Sequence, residues 1–276
     1  MRDDLLPVLA CPVCAEPLGR VDGGQVGCAE GHRFDEAKQG HLTLLPAKRR
    51  ALTADTPEMV DARLRFLGRG HYAPVERALV AVVASVDAPG VVLDVGSGPG
   101  TYLAHVLRAA DGRRGVALDL SAIAIRRAAR AHERAGAVVG DVTERLPVVD
   151  GAAAVVLDVF APRNQTEYAR VLHPDGVLVV VTPRTGHLAE LAEATISVDP
   201  EKERRLHDSL TPAFVLRSSE DLTWTMELSA EDVHDVVHMG PSHHHVDPET
   251  VFAPATVTAA VTVSTWSPSA QSAVES

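Results

Sequence analysis

A mainly parallel α/β sheet covered on both faces, preceded by a small metal-binding module, is the fold the sequence predicts, and three observations carry it. From Pro89 onward, short Val- and Leu-rich runs alternate one for one with helical stretches. Continuous apolar strands separated by single helices belong to parallel sheets buried on both faces. The first run, VVLDV, ends in the glycine-rich turn Gly96-Ser97-Gly98-Pro99-Gly100, which leads into a helix. The three cysteines of the chain, Cys11, Cys14 and Cys28, all fall upstream of this region in a segment rich in glycine and turn residues.

Taken in order, residues 1–46 form the metal-binding module, 47–88 a helical linker and 89–276 the sheet domain. In the linker, TPEMVDARLRFL opens with a Thr-Pro-Glu helix start, and PVERALVAVVASV spaces its apolar residues as a helix does. The strands VVLDV, GVALDL, AVVGD, AAAVVLDVF and GVLVVVTP then alternate with a helix from Thr101 and with the helices SAIAIRRAARAHERAG and QTEYARVL. Further helices are expected around DPEKERRLHDSL and in SAEDVHDVVHM. ATVTAAVTVSTW alternates as one more strand, antiparallel at the sheet edge, and SPSAQSAVES is expected to be disordered.

The spacing Cys11-x2-Cys14-x13-Cys28-x3-His32 is that of a zinc site. Two cysteines two residues apart form a knuckle whose thiolates converge, and the second pair closes a tetrahedron. Four protein ligands make the site structural, and the bound Zn²⁺ supplies folding energy to a segment too short for an adequate core. An odd cysteine count also argues against a disulfide framework. The triplet His243-His244-His245 is a different case: three adjacent imidazoles cannot all address one metal, so they are read as loop residues beyond the turn at Met239.

The glycine turn, with Asp94 just before it, marks a site where a ligand approaches the backbone. Asp119 closes the second strand, where a carboxylate accepts ribose hydroxyls, and Asp141 follows the third, beside an adenine edge. No Walker lysine follows the glycines, which disfavours a triphosphate. A dinucleotide and S-adenosylmethionine both remain open on these residues.

Charge and composition narrow the partners. The chain carries 46% hydrophobic residues and a net charge of −11. Residues 1–184 hold 22 basic and 22 acidic side chains, whereas 185–276 hold 4 and 15, so the acidic excess lies in the last third. The neutral part contains local basic clusters, Lys48-Arg49-Arg50, then Arg63, Arg65 and Arg69, then Arg126, Arg127 and Arg130, which could meet phosphate. No apolar run reaches the ~18 residues of a membrane helix, and no leader peptide is visible, so no membrane partner and a cytoplasmic location are expected.

D-V-G-S-G-P-G resembles motif I of the class I S-adenosylmethionine-dependent methyltransferases, a Rossmann-like fold, over roughly residues 89 to 266. That resemblance selects S-adenosylmethionine over a dinucleotide. With every cysteine assigned to metal, none is left as the nucleophile of C5-pyrimidine methylation. The run Leu157-Asp158-Val159-Phe160-Ala161-Pro162 also differs from the [DN]-P-P-[YF] turn of many adenine-N6 enzymes.

A closer likeness covers nearly the whole chain. CPVC…CAEGHRFDEAKQGHLTLLP, ARLRFLGRGHYAP, LDVGSGPGTY, VFAP and TPRTGHLAEL resemble the bacterial 23S rRNA (guanine-N1)-methyltransferase family, which includes housekeeping enzymes and macrolide-resistance enzymes of the tylosin and mycinamicin type. The resemblance implies methylation of a guanine in a domain II hairpin of 23S rRNA near the peptide exit tunnel, with 23S rRNA as partner and a homodimer as the assembly. It implies cofactor contacts at Tyr72, Gly98, Pro99 and His187, beside Asp94, Gly96, Gly100, Asp119 and Asp141 from the turn and strand ends. Guanine N1 carries a proton that a base must take. Asp158, at the end of the fourth strand, is the candidate for that proton or for orienting the guanine, and Phe160 and Pro162 are candidates for an apolar wall. The alternative is a natural-product methyltransferase with a structural zinc module.

Overall fold

Each apolar run from Val91 onward lies in one eight-stranded sheet in the computed structural model, which describes residues 1–45, 55–192, 194, 208–240, 243, 246 and 250–269. Three short antiparallel strands come first, β1 (Gly19–Arg20), β2 (Val26–Gly27) and β3 (Arg33–Phe34). Strand β4 (Leu42–Thr43) leaves this module and pairs in parallel with β7 (Ala135–Val139). The N-terminal residues thus supply an edge strand of the main sheet as well as the metal site.

The linker forms two helices, as its spacing predicts. In α1 (Pro57–Gly68) the Thr56 hydroxyl accepts from the Met59 amide, Pro57 occupies the first turn, and Phe66 and Leu67 point inward. In α2 (Ala73–Ala84), Val75, Leu79 and Val83 share one buried face. The alternation then proceeds through β5 (Val91–Val95), α3 (Thr101–Ala109), β6 (Gly115–Asp119), α4 (Ala122–Ala128), β7, β8 (Ala153–Val159), α5 (Gln165–Val171) and β9 (Leu172–Pro183). It ends with β10 (Phe214–Leu228), α6 (Ala230–His238) and β11 (Ala255–Pro268).

Across the sheet the order is β10-β11-β9-β8-β5-β6-β7-β4. Pairings from β9 through β4 are parallel, whereas β11 and β10 run antiparallel. The chain winds outward from β5 through β6 to β7, then returns to β8 on the other side of β5. This reversal opens a crevice at the carboxyl ends of β5 and β8, where sheets of this type bind ligands.

The two faces carry separate cores. Val92, Leu157 and Val181 pack with Phe66, Leu79, Leu107 and Val237 of the helices on one side. On the other, Val91, Leu93, Val138 and Val180 pack with Leu5, Leu6, Leu9, Leu18 and Val26 of the N-terminal module and with Tyr168 of α5. An antiparallel bridge from Leu9 to Val148 ties the module further to the sheet domain. The module therefore borrows its hydrophobic interior from the sheet, which answers its shortage of core.

Two expectations need correction. The helix expected over SAIAIRRAARAHERAG ends at Ala128, and β7 already begins at Ala135, because Gly136 lies tightly against Met1 and Leu5, where a strand backbone fits and a side chain would clash. Strand β11 is antiparallel but is not the edge: β10, not anticipated as a strand, lies outside it over fourteen paired positions. Residues 199–207 of the expected DPEKERRLHDSL helix lie outside the described residues, as do Lys48, Arg49, Arg50, His244, His245 and residues 270–276 of the tail.

Candidate cofactor site and metal centre

The four metal-ligand candidates meet. One ligand atom from each of Cys11, Cys14, Cys28 and His32 lies within 4.8 Å of all the others. Individual separations are 3.6 Å for Cys11 Sγ to His32 Nδ1, 3.6 Å for Cys14 Sγ to Cys28 Sγ and 3.3 Å for Cys28 Sγ to His32 Nδ1. Tetrahedral zinc with bonds of about 2.3 Å to sulfur and 2.0–2.1 Å to nitrogen sets its ligand atoms about 3.5–3.8 Å apart. The donor set therefore fits Zn²⁺. Each half is shaped by its backbone: the Val13 amide points at Cys11 Sγ, and Gly31 turns in the left-handed region at φ 89°.

At the crevice, the glycine turn runs from Gly96 into α3 with Gly96, Gly98 and Gly100 all at positive φ. A Cβ on Gly96 would stand 2.5 Å from the Ala161 methyl, so the turn packs directly against the loop after β8. Asp119 holds this turn in place: its carboxylate accepts the Gly98 amide at 2.8 Å and the Ser121 amide at 2.7 Å. Asp141 lies at the same sheet edge and accepts the amide and hydroxyl of Thr143 at 3.0 and 2.7 Å.

Asp94 is the unsatisfied member. It is 1% exposed, and its Oδ2 has no hydrogen-bond partner among the described residues. Burial, and then the neighbouring Asp119, push its carboxyl up to about 7, against the pull of the Leu103 amide. A buried carboxylate oxygen without a partner beside a glycine turn suits a ligand with cationic groups, which S-adenosylmethionine has.

A raised carboxyl pKa means that the folded chain binds the proton more tightly than the unfolded one. Stability contributed by protonated Asp94 is thus complete below about pH 4 and is lost as pH rises through about 7. Asp94→Asn is expected to stabilise the ligand-free protein at pH 8 by up to roughly 4 kcal/mol, to have little effect at pH 5, and to weaken cofactor binding. Thermal melts at the two pH values, with titration of the cofactor, check this.

Tyr72 and His187, far apart in sequence, meet across the crevice. The Ala260 amide donates to His187 Nδ1 at 3.1 Å, which leaves the ring proton on Nε2 to donate to the Tyr72 oxygen, also at 3.1 Å. The Tyr72 hydroxyl hydrogen is then available to a ligand, and burial pushes the phenol well above its ordinary range, so that hydrogen is retained. Around this pair stand Phe160, with ring centroids 6.0 Å from Tyr72 and 6.2 Å from His187, and Trp224, 5.6 Å from Tyr72. Trp224 escaped the sequence reading, although Leu222, Trp224, Met226 and Leu228 alternate as a strand should.

Asp158 stands at the carboxyl end of β8, where the sequence places it. It is fully buried and accepts the Tyr168 hydroxyl at 2.9 Å, while the same hydroxyl lies 3.1 Å from the Pro162 carbonyl. Its visible work is to hold the loop that carries Phe160 and Pro162.

The first described arginine cluster differs from expectation. Arg65 forms a two-pronged contact with Asp235 at 3.0 and 2.6 Å, and Arg69 reaches Asp232 at 3.0 Å, Asp235 at 3.1 Å and Glu231 at 2.8 Å. These arginines clamp α6 to α1 rather than facing phosphate. Arg63 turns to the glycine turn. Of the second cluster, Arg127 pairs with Asp61 at 2.8 Å, and Arg127 and Arg130 join Arg108 in lining an open groove of about 460 Å³ that reaches Pro99. His243 rests with its Nδ1 2.9 Å from that of His238.

Comparison with known proteins agrees with this geometry. The family model described as "RlmA, N-terminal", a zinc ribbon, matches residues 9–51, and the one described as "Methyltransferase domain" matches residues 92–176. The Streptomyces fradiae protein named 23S rRNA (guanine(748)-N(1))-methyltransferase is 46% identical over 256 residues, 90% of each chain. A Micromonospora griseorubida protein described as "Putative 23S rRNA (guanine-N(1)-)-methyltransferase" is 43% identical over 295 residues, covering 97% of this chain and 100% of its own. Among solved structures, a chain of the Haloferax volcanii complex between the Trm112 methyltransferase activator and a methyltransferase shares the fold, at TM-score 0.53 and 19% identity, over 78% of this chain and 99% of its own. With its thiolate knuckle, its glycine turn and its Tyr72–His187 pair in place, the chain belongs to the bacterial 23S rRNA (guanine-N1)-methyltransferase family.

Proposed function

We propose that the protein methylates N1 of a guanine in 23S rRNA, with S-adenosylmethionine as donor, in a domain II hairpin near the peptide exit tunnel. The observation that carries this reading is the 46% identity, along 90% of both chains, to the Streptomyces fradiae enzyme whose name specifies guanine 748.

S-adenosylmethionine supplies an electrophilic methyl group. Asp94, the glycine turn, Asp119, Asp141, Tyr72 and His187 bind and orient it, with Tyr72 offering its hydroxyl hydrogen. Phe160 is the surface on which the target base stacks. It is 39% exposed and sits at φ 58°, a conformation unusual for an aromatic residue and one that an ordered loop must impose. Tyr168 and Asp158 impose that order from beneath, so Asp158 is proposed as a positioning residue.

The groove lined by Arg108, Arg127 and Arg130 replaces the Arg63–Arg69 cluster as the proposed track for the RNA backbone. Among the described residues no helix is long and apolar enough to cross a membrane. The cytoplasm, where ribosomes are assembled, is the proposed place of action. A homodimer is proposed as well: β10 is the outermost strand among the described residues and leaves Val215 and Leu216 exposed, where a second copy can pair.

Primer extension on 23S rRNA tests the main reading, because a methyl group on N1 blocks pairing. Ribosomes from cells that make the protein are expected to arrest reverse transcriptase at one guanine of the domain II hairpin, and cells lacking it should read through. Identical extension products in both would overturn the proposal.

A further inference from the structure

We propose that Arg63 is the anchor for the α-carboxylate of S-adenosylmethionine and that it exchanges Asp55 for that carboxylate when the cofactor binds. Arg63 projects from α1 and is 23% exposed in its side chain. Its guanidinium rests on the glycine turn: a Cβ built on Gly98 would stand 2.9 Å from Nη1, 3.6 Å from Cδ and 3.9 Å from Cζ. Gly98 is the same residue whose amide Asp119 holds at 2.8 Å. Arg63 is therefore a cation laid against the backbone of the cofactor turn, within electrostatic reach of Asp119 and Tyr102.

The charges explain why it is there. S-adenosylmethionine carries two cationic groups, the sulfonium and the ammonium, and one anion, the α-carboxylate. Asp94 and Asp119 suit the cations and the ribose hydroxyls, but they repel the anion. A guanidinium is the side chain best matched to a carboxylate, because it offers paired donors in a plane. Arg127 and Arg130 line the groove that reaches Pro99, and Arg63 is no part of that groove.

Asp55 already shows that a carboxylate fits: its Oδ2 accepts from Arg63 Nη1 at 2.6 Å, and it is itself 25% exposed at the mouth. Arg63 Nη2 meanwhile donates to the Met239 carbonyl. One nitrogen is thus fixed to the protein, while the other holds an acidic partner that a ligand can replace.

The inference rests on the S-adenosylmethionine reading, and the two fail in different ways. Calorimetric titration of the full-length protein with S-adenosylhomocysteine and with its decarboxylated analogue, S-adenosyl-3-thiopropylamine, isolates the carboxylate. Binding of neither would sink the cofactor reading itself. If both bind, the native protein is expected to prefer the carboxylate-bearing ligand by roughly 10- to 100-fold, the range of a charge-assisted contact.

Arg63→Gln should reduce that preference to about twofold while shifting the affinity for the analogue less than about threefold. A full preference retained in Arg63→Gln overturns the proposal, and so does an equal loss for both ligands, which would mean that Arg63 only supports the turn. Asp55→Asn leaves Arg63 in place and removes the competing anion, so it should tighten binding of S-adenosylhomocysteine several-fold without changing that of the analogue. No preference in the native protein, or no selective gain in Asp55→Asn, also overturns it.

Discussion

Cys28→Ala is expected to purify without zinc and to melt at a temperature about 10–20 °C below that of the native protein, which corresponds to a loss of about 5 kcal/mol or more. Zinc contributes most of the folding energy of small thiolate modules, about 10–16 kcal/mol in isolated peptides. Part of that would remain here, because Leu9 bridges to Val148 and because Leu5, Leu6 and Leu9 are at most 1% exposed. The same packing makes the loss global. Leu5, Leu6, Leu9, Leu18 and Val26 roof Val91, Leu93 and Val138, so a module that loosens uncovers one face of the central sheet. Metal analysis and a melting curve decide this. A variant free of zinc whose transition lies within about 3 °C of native would show that the module is held by its apolar contacts alone.

How much of this could be read from the sequence follows from where each signal resides. The parallel strands were legible because both of their faces are buried, which leaves uninterrupted runs such as VVLDV. The zinc ligands were legible because a tetrahedron constrains residues close together in the chain. Strand β10 was not, since seven consecutive residues from Val215 to Asp221 are exposed and carry no alternation. Only its second half, Leu222 to Leu228, signals a strand. The Tyr72–His187 contact joins two segments through β11, whose Ala260 amide selects the histidine tautomer, and no local pattern encodes a backbone donor. The ion pairs of Arg65 and Arg69 were illegible for a similar reason: a charged residue at a plausible position carries no sign of the buried partner that the fold brings to it.

Those partners set the second large effect. Arg65→Ala combined with Arg69→Ala is expected to cost about 3–5 kcal/mol, the usual consequence of leaving a buried charge without its counter-ion. Asp235 is fully buried on α6, and both arginines converge on it from the end of α1. Either arginine alone still pairs with the acid, so each single variant should lose much less than half of the total. The asymmetry of exposure gives a sharper test. Arg65 and Arg69 are 44% and 35% exposed, so they can turn to water if the acid is removed, whereas Asp235 cannot. Adding Asp235→Leu to the double variant should therefore recover most of the lost stability, as apolar replacements of buried ion pairs commonly do. Denaturant unfolding of the two single variants, the double and the triple measures this, and filter binding of a domain II hairpin at several salt concentrations supplies the contrast. If the arginines clamp α6, the triple variant binds RNA with the native salt dependence. If they instead contact phosphate, stability hardly changes in the double variant, and the salt slope falls by about one for each arginine removed.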